Sequence, residues 1–246
     1  RALVLEGTES PDTDAVSRAV YTAFIEEDNY NLGSLGRRWF GQRFSDEQEE
    51  TFILETPNVA MGTQIDVAAR VASDGSTTTT FTLTVGSDTD TKSMSGINKS
   101  IVGSEPSTRF SQLRGMLHLK QNATESITAK LLYSSNGDFA ANGYLDFLIA
   151  QYLRDLDGAE GSFMFSLTSK DPAQQLAVAS ASNETCIWEM NGDVVHMPPN
   201  GATSFGSDVI VDEGSKFYLS TAYKIPAFSR STRVLRPSSA LKNLRA

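Results

Sequence analysis

Residues able to do chemistry are few in this chain, and their spacing assembles no recognisable machinery. His118 and His196 are the only histidines, 78 positions apart, and no Asp or Glu spacing around either completes a metal-ligand set. His118 closes an expected helix, where its charge suits the helix dipole. Cys186 lies in Thr185-Cys-Ile-Trp-Glu-Met190, a strand pattern in which a thiol is ordinarily buried and inert. As the single cysteine it excludes an internal disulfide framework. Carboxylates run together at Glu26-Glu27-Asp28, Asp46-Glu47, Glu49-Glu50 and Asp155 with Asp157, as solvated faces usually do. Asp88-Thr-Asp90 has two acids of a calcium loop without its remaining spacing. There is no glycine-rich phosphate loop. The sequence therefore predicts neither catalysis nor a cofactor nor a metal.

Charge is the more informative chemistry. The chain carries a net −9, but no acid follows Glu213, while Lys216, Lys224, Arg230, Arg233, Arg236, Lys242 and Arg245 do. An acidic body with a basic C-terminal arm predicts a partner for the arm: an acidic neighbouring subunit or the phosphates of a nucleic acid. Arg109 and Arg114 are further candidates for locking contacts, because a bidentate guanidinium contact is hard for Lys to replace.

The elements that would position these groups read as mostly β. Pro11-Asp-Thr-Asp14 opens an expected helix through Glu27, with Val16, Val20 and Phe24 spaced i, i+4, i+8. A second is expected over 107–118, capped by Ser107 with Phe110, Leu113 and Leu117 on one face, and a third over 144–156, stopped by Gly158 to Gly161. Between them, Thr51–Leu54, Ile65–Val71, Phe81–Val85, Thr128–Tyr133, Ser162–Thr168, Leu176–Ser180, Cys186–Met190, Val209–Val211 and Phe217–Thr221 are rich in β-branched and aromatic residues. Turn pairs such as Asp74-Gly75, Asn136-Gly137, Asn191-Gly192 and Asn200-Gly201 separate them. The fold class expected is all-β: an eight-stranded antiparallel jelly-roll sandwich with two short helices and extended termini. The expected organisation is an N-terminal arm with a short helix over 1–50, the jelly roll over 51–222, and a basic arm over 223–246. No apolar run is long enough to span a membrane. The start at Arg1, without a Met, suggests a trimmed chain or a product cut from a precursor.

Gly103-Ser-Glu105 followed by Ser107-Thr-Arg-Phe-Ser-Gln-Leu-Arg114 resembles a segment of cricket-paralysis-virus-like capsid proteins, which forms a short helix beside their jelly roll. Phe147-Leu148, Tyr152 and Gly158-Ala-Glu-Gly-Ser162-Phe-Met-Phe165 are similar to the stretch that leads into a central strand of that fold, with Ala159-Glu160 where the family has Trp-Arg. Lys224-Ile-Pro-Ala-Phe-Ser229 is similar to the end of the family's last strand. The resemblance implies a structural capsid protein of a small icosahedral RNA virus of the picorna-like group. Such a protein packs with sister jelly-roll subunits, encloses genomic RNA, and resides in the virion, with assembly in the host cytoplasm. Arg109, Arg114, Arg230, Arg233 and Arg236 would then lie at subunit interfaces. Two other readings stand beside it. One is a carbohydrate-binding or adhesive β-sandwich, suggested by the Thr/Ser-rich Gly75–Thr84 stretch and by aromatics such as Trp188. The other is a β-rich hydrolase, which needs a converging His and acid cluster.

Overall fold

In the computed structural model, residues 3–31, 39–96, 114–167, 173–190, 194–211 and 215–222 are described. They form sixteen strands in four sheets, where eight strands were expected, and one 3-10 turn at Gly158–Glu160. The expected all-β class holds. The chain divides into two compact units: residues 1–21, 57–60 and 153–246, and residues 22–56 and 61–152. The expected boundary at 50 falls within the second of these units, and the expected basic arm over 223–246 lies outside the described residues.

The unit over 22–56 and 61–152 is a sandwich of two sheets. One has the order β2 (Arg18–Glu26), β10 (Gly143–Asp155), β5 (Gln64–Ser73), β8 (Arg114–Asn122), with β3 (Arg43–Phe44) also on β10. The other runs β4 (Gln48–Glu55), β9 (Ser126–Ser134), β6 (Thr79–Val85), β7 (Asp88–Met94). β6 shows why these segments are strands: Thr79, Phe81, Leu83 and Val85 are buried, while Thr80, Thr82 and Thr84 alternate outward. Its core is aromatic. Phe44 meets Phe81 edge-on at 5.4 Å, Phe81 lies 4.9 Å from Tyr133, and the Tyr133 hydroxyl reaches Ser73 Oγ at 3.2 Å. Gly143 is placed where a Cβ would come within 2.4 Å of Phe81 Cζ. At the β9–β10 loop, Asn136 and Gly137 both have positive φ, 52° and 94°, as that turn pair allows.

The other unit sets a five-stranded sheet against a two-stranded one. The first has the order β1 (Leu3–Glu6), β14 (Val194–Met197), β13 (Cys186–Glu189), β16 (Phe217–Ser220), β11 (Phe163–Phe165); the second pairs β12 (Ala173–Val178) with β15 (Phe205–Ile210). Phe163, Phe165, Ile187, Phe217 and Leu219 from the first share a core with Leu176, Val178, Phe205 and Val209 from the second. The buried Arg154 lies over the Phe163 ring at 3.7 Å and the Tyr21 ring at 4.9 Å. β1 pairs parallel to β14, so Leu3–Glu6 belong to this sheet.

Three expected helices need correction. Residues 144–156 lie in the strand β10 up to Asp155, with Leu148, Ala150, Tyr152 and Arg154 buried on one face. A register shift between Leu145 and Phe147 moves the inward face by one position, so Leu145, Leu148 and Tyr152 fall at the helical spacing i, i+3, i+7. The helix expected through Glu27 is the strand β2 over its second half; Val16, Val20 and Phe24 share even spacing, which fits a strand face as well. Of the helix expected over 107–118, residues 107–113 lie outside the described residues, and 114–118 open β8, where Gly115 and Leu117 face Val71 and Ala69.

Candidate functional site

The one place in the described residues where a nucleophile, a base and an acid converge is not among those the sequence singled out together. The pairing of β13 with β14 sets Ile187 opposite His196 and Glu189 opposite Val194, so Glu189 and His196 share a face one pair apart. Glu189 Oε1 lies 2.7 Å from His196 Nε2. On the other side of the ring, Ser207 Oγ lies 2.5 Å from Nδ1. Ser207 comes from β15, which pairs with β12 and not with β14, so this bond ties the two sheets together across their core.

The set has the composition of a Ser–His–acid triad. Its environment gives it a different task. Ser207 and His196 are each only 1% exposed, so neither side chain is open to solvent. With Ser207 donating to Nδ1, the Nε2–H donates to the Glu189 carboxylate, and every polar atom of the imidazole is satisfied. A buried polar group costs little only when it is bonded in this way. The arrangement is a cross-sheet tie.

The hairpin pair Asn191-Gly192 was the signal that could have found half of it. The strands that flank this pair in sequence, β13 and β14, are antiparallel neighbours, and that pairing sets Glu189 beside His196. Nothing local points to Ser207, which arrives through the pairing of β12 with β15.

The other candidate residues fall apart in space. Cys186 is fully buried, and burial pushes its thiol up to about 11. His118 is exposed on β8, where its backbone N–H donates to Asp90 Oδ2 at 2.8 Å; Asp88 accepts from Gln121 Nε2 at 2.9 Å. Asp88 and Asp90 are thus engaged in holding β7 to β8. Trp188, expected as an exposed aromatic, is half-buried against Cys186, Val195 and Met197. Exposed aromatics occur instead at Phe24, Trp39 and Phe139. Arg114 begins β8 opposite Ala72, its side chain lying outside the described residues, as do Arg109, Arg230, Arg233 and Arg236. Among the described residues no group of three or more His, Cys, Asp or Glu side chains is placed to hold a metal, and no helix is long and apolar enough to cross a membrane.

Among the described residues, one of the concavities is open to a ligand. A groove of about 280 Å³ runs beside β1, lined by Val4, Leu5, Glu6, Asn183, Met197, Pro198 and Asn200. Asn183 is fixed at its rim by accepting from the Gly201 N–H at 3.0 Å, where Gly201, at φ 80°, turns the chain. The groove is therefore lined by apolar side chains, two amide groups and one acid.

No family model matches the sequence, and no curated protein matches it. Among solved structures, dimeric latent PorU from Porphyromonas gingivalis is similar over 91% of this chain and 22% of that one, at 12% identity and a TM-score of 0.66. The CBM36-1 domain of a multidomain xylanase from the hindgut metagenome of Trinervitermes trinervoides aligns over 53% of this chain and 95% of that one, at 11% identity and a TM-score of 0.32. A carbohydrate-binding module CBM36, solved with calcium and xylotriose, aligns over 52% of this chain and 96% of that one, at 16% identity and a TM-score of 0.31. The likeness to PorU is one of fold, and the chain spans about a fifth of that protein's length.

Proposed function

We propose that this chain is a non-catalytic β-sandwich module that acts by recognising other molecules at its surface. The observation that carries the reading is the burial of the Glu189–His196–Ser207 set, the one Ser–His–acid convergence among the described residues, as a tie between two sheets. An open feature among the described residues is the groove lined by Val4, Leu5, Glu6, Asn183, Met197, Pro198 and Asn200. That nearly the whole chain matches a fifth of a much longer protein supports a module reading, since such a fold can serve as one part of a larger architecture. The net charge of −9 favours basic partners.

The test is chemical. The folded chain should give no labelling by a fluorophosphonate probe of activated serines and no hydrolysis of ester or peptide substrates above a Ser207→Ala control. Stoichiometric labelling of Ser207 would overturn the reading.

A further inference from the structure

Residues 3–16 bind three strands in succession. Leu3–Glu6 pair with Val194–Met197 of β14, and the Gly7 N–H continues that ladder to the Met197 carbonyl at 2.8 Å. The next residue turns to the other sheet, where Thr8 and Gly206 of β15 exchange two backbone bonds of 2.9 Å. Leu176, Val178, Phe205 and Val209 of β12 and β15 face the core, so Gln175, Gly206 and Asp208 face away from it. The segment crosses that outer face. A Cβ on Gly206 would come within 3.0 Å of Pro11 Cα, and the Asp12 N–H donates to Gln175 Oε1 at 2.6 Å. Gln175 Nε2 in turn donates to Asp208 Oδ1 at 3.2 Å. At the far edge, the Val16 N–H donates to the Gln175 carbonyl at 2.7 Å and its carbonyl accepts from the Ala177 N–H at 2.9 Å. The segment therefore straps the two sheets of this unit together from outside.

The strap adds little to what holds those sheets. The core they share draws on Val16 at its margin and on no residue of 3–15. Leu5 is buried and Val4 packs on the smaller Cys186–Val195–Met197 cluster, but Glu9, Ser10, Asp12, Thr13 and Asp14 are exposed. Over 3–16 there are four acids and no base. A segment with so few buried apolar side chains opens at a lower free energy than core strands. The strands it joins have a second connection, since His196 and Ser207, next to Met197 and Gly206, tie β14 to β15 directly. That tie keeps both walls in place when the strap leaves. The seat is also selective. A Cβ on Gly7 would meet the Gly206 carbonyl oxygen at 2.5 Å and Phe205 Cδ2 at 2.8 Å, so glycine alone fits there.

We propose that residues 3–16 are a releasable strap, which opens as a unit while both sheets stay folded and leaves a slot between Met197 and Gly206. The slot accepts an extended segment of the strap's own pattern, Leu5-Glu-Gly-Thr8: an apolar residue, a spacer, an obligatory glycine and a residue that pairs with Gly206. Backbone pairing to the two walls supplies the affinity, and the glycine seat supplies the selectivity.

The experiment begins with native-state hydrogen exchange on the full chain. The amides of Gly7, Thr8, Asp12 and Gly206 should exchange together, at least about a hundredfold faster than those of Ile187 and Leu219. Gln175→Ala, which removes the contact to Asp12, should speed the first group and leave the second unchanged. In a second preparation a TEV protease site is inserted between Ser10 and Pro11, and the cut chain is separated from the released fragment. It should keep its slow core exchange and take up a fluorescein-labelled peptide of residues 1–8 saturably by anisotropy, with amide shifts at Met197 and Gly206. The same peptide carrying Gly7→Ala should bind at least about tenfold more weakly. Exchange of both groups in one global event, a cut chain that unfolds, no uptake of the peptide, or equal binding of the alanine peptide would each overturn the inference. The strap stands on its own contacts, so its failure leaves the non-catalytic reading to the serine probe.

Discussion

His196 holds both ring nitrogens in hydrogen bonds, to Glu189 and to Ser207, and the second bond crosses the core between sheets. Removing one partner leaves the other unpaired in a buried place. Ser207→Ala leaves Nδ1 without its donor, and should lower unfolding free energy by about 1–3 kcal/mol, read from urea denaturation by tryptophan fluorescence. A loss below about 0.5 kcal/mol would mean that the site relaxes or hydrates, and that the tie contributes little. Cys186 makes a second residue-scale statement, about pH. Its thiol moves from an ordinary value near 9 to about 11 through burial, so the folded state holds the proton more tightly than the unfolded chain. The stability this group contributes is complete below pH 9 and is lost as pH rises through 11. The phenols of Tyr133 and Tyr144 are raised by burial as well, and act in the same direction. The urea midpoint should fall on going from pH 9 to pH 11. Cys186→Ala should fall less steeply over that window, by on the order of 2 kcal/mol. Equal slopes for the two proteins would contradict the burial of the thiol.

At the scale of elements, β10 is the instructive case. It enters the sandwich at Gly143, beneath the rings of Phe81 and Tyr133, where an added Cβ would meet carbon atoms at 2.4 and 2.6 Å. Gly143→Ala should therefore destabilise by about 1–3 kcal/mol through overpacking, with the aromatic signal of near-UV circular dichroism altered. A variant as stable as the parent would mean that the Phe81–Tyr133 pair has room to move. The same strand shows where reading the sequence stops. Alternation in Thr79–Val85 and Ser126–Ser134 was legible because those strands have one buried face and no irregularity. β10 was not, because the shift at Leu145/Phe147 disguises a period of two as a helical spacing. Val16, Val20 and Phe24 failed for a simpler reason, since a four-residue repeat is even and satisfies both periods. The edge strand β7, Asp88-Thr-Asp-Thr-Lys-Ser-Met94, has its last residue buried and is otherwise mostly exposed, so no hydrophobic signal marks it. Of the candidate site, the Glu189–His196 pair was readable from the Asn191-Gly192 sequence signal between them. Ser207 and the groove beside β1 were not, because both depend on pairings between residues far apart in sequence.

On the scale of the whole molecule, the question is whether the chain works as a module or as a subunit of a closed shell. Two compact units, each with its own buried core, are formed within 246 residues, and a net charge of −9 adds repulsion to any approach of two copies. Shell assembly asks for repeated interfaces around symmetry axes and for order that arises only on association. The measurement that separates the two most directly is multi-angle light scattering with negative-stain microscopy of the purified chain, over a range of concentration and salt. The account predicts a single species with the mass of one chain, about 26.7 kDa, and no particles at any condition. Closed particles of uniform diameter, forming reversibly with concentration, would contradict it and return the chain to the capsid reading.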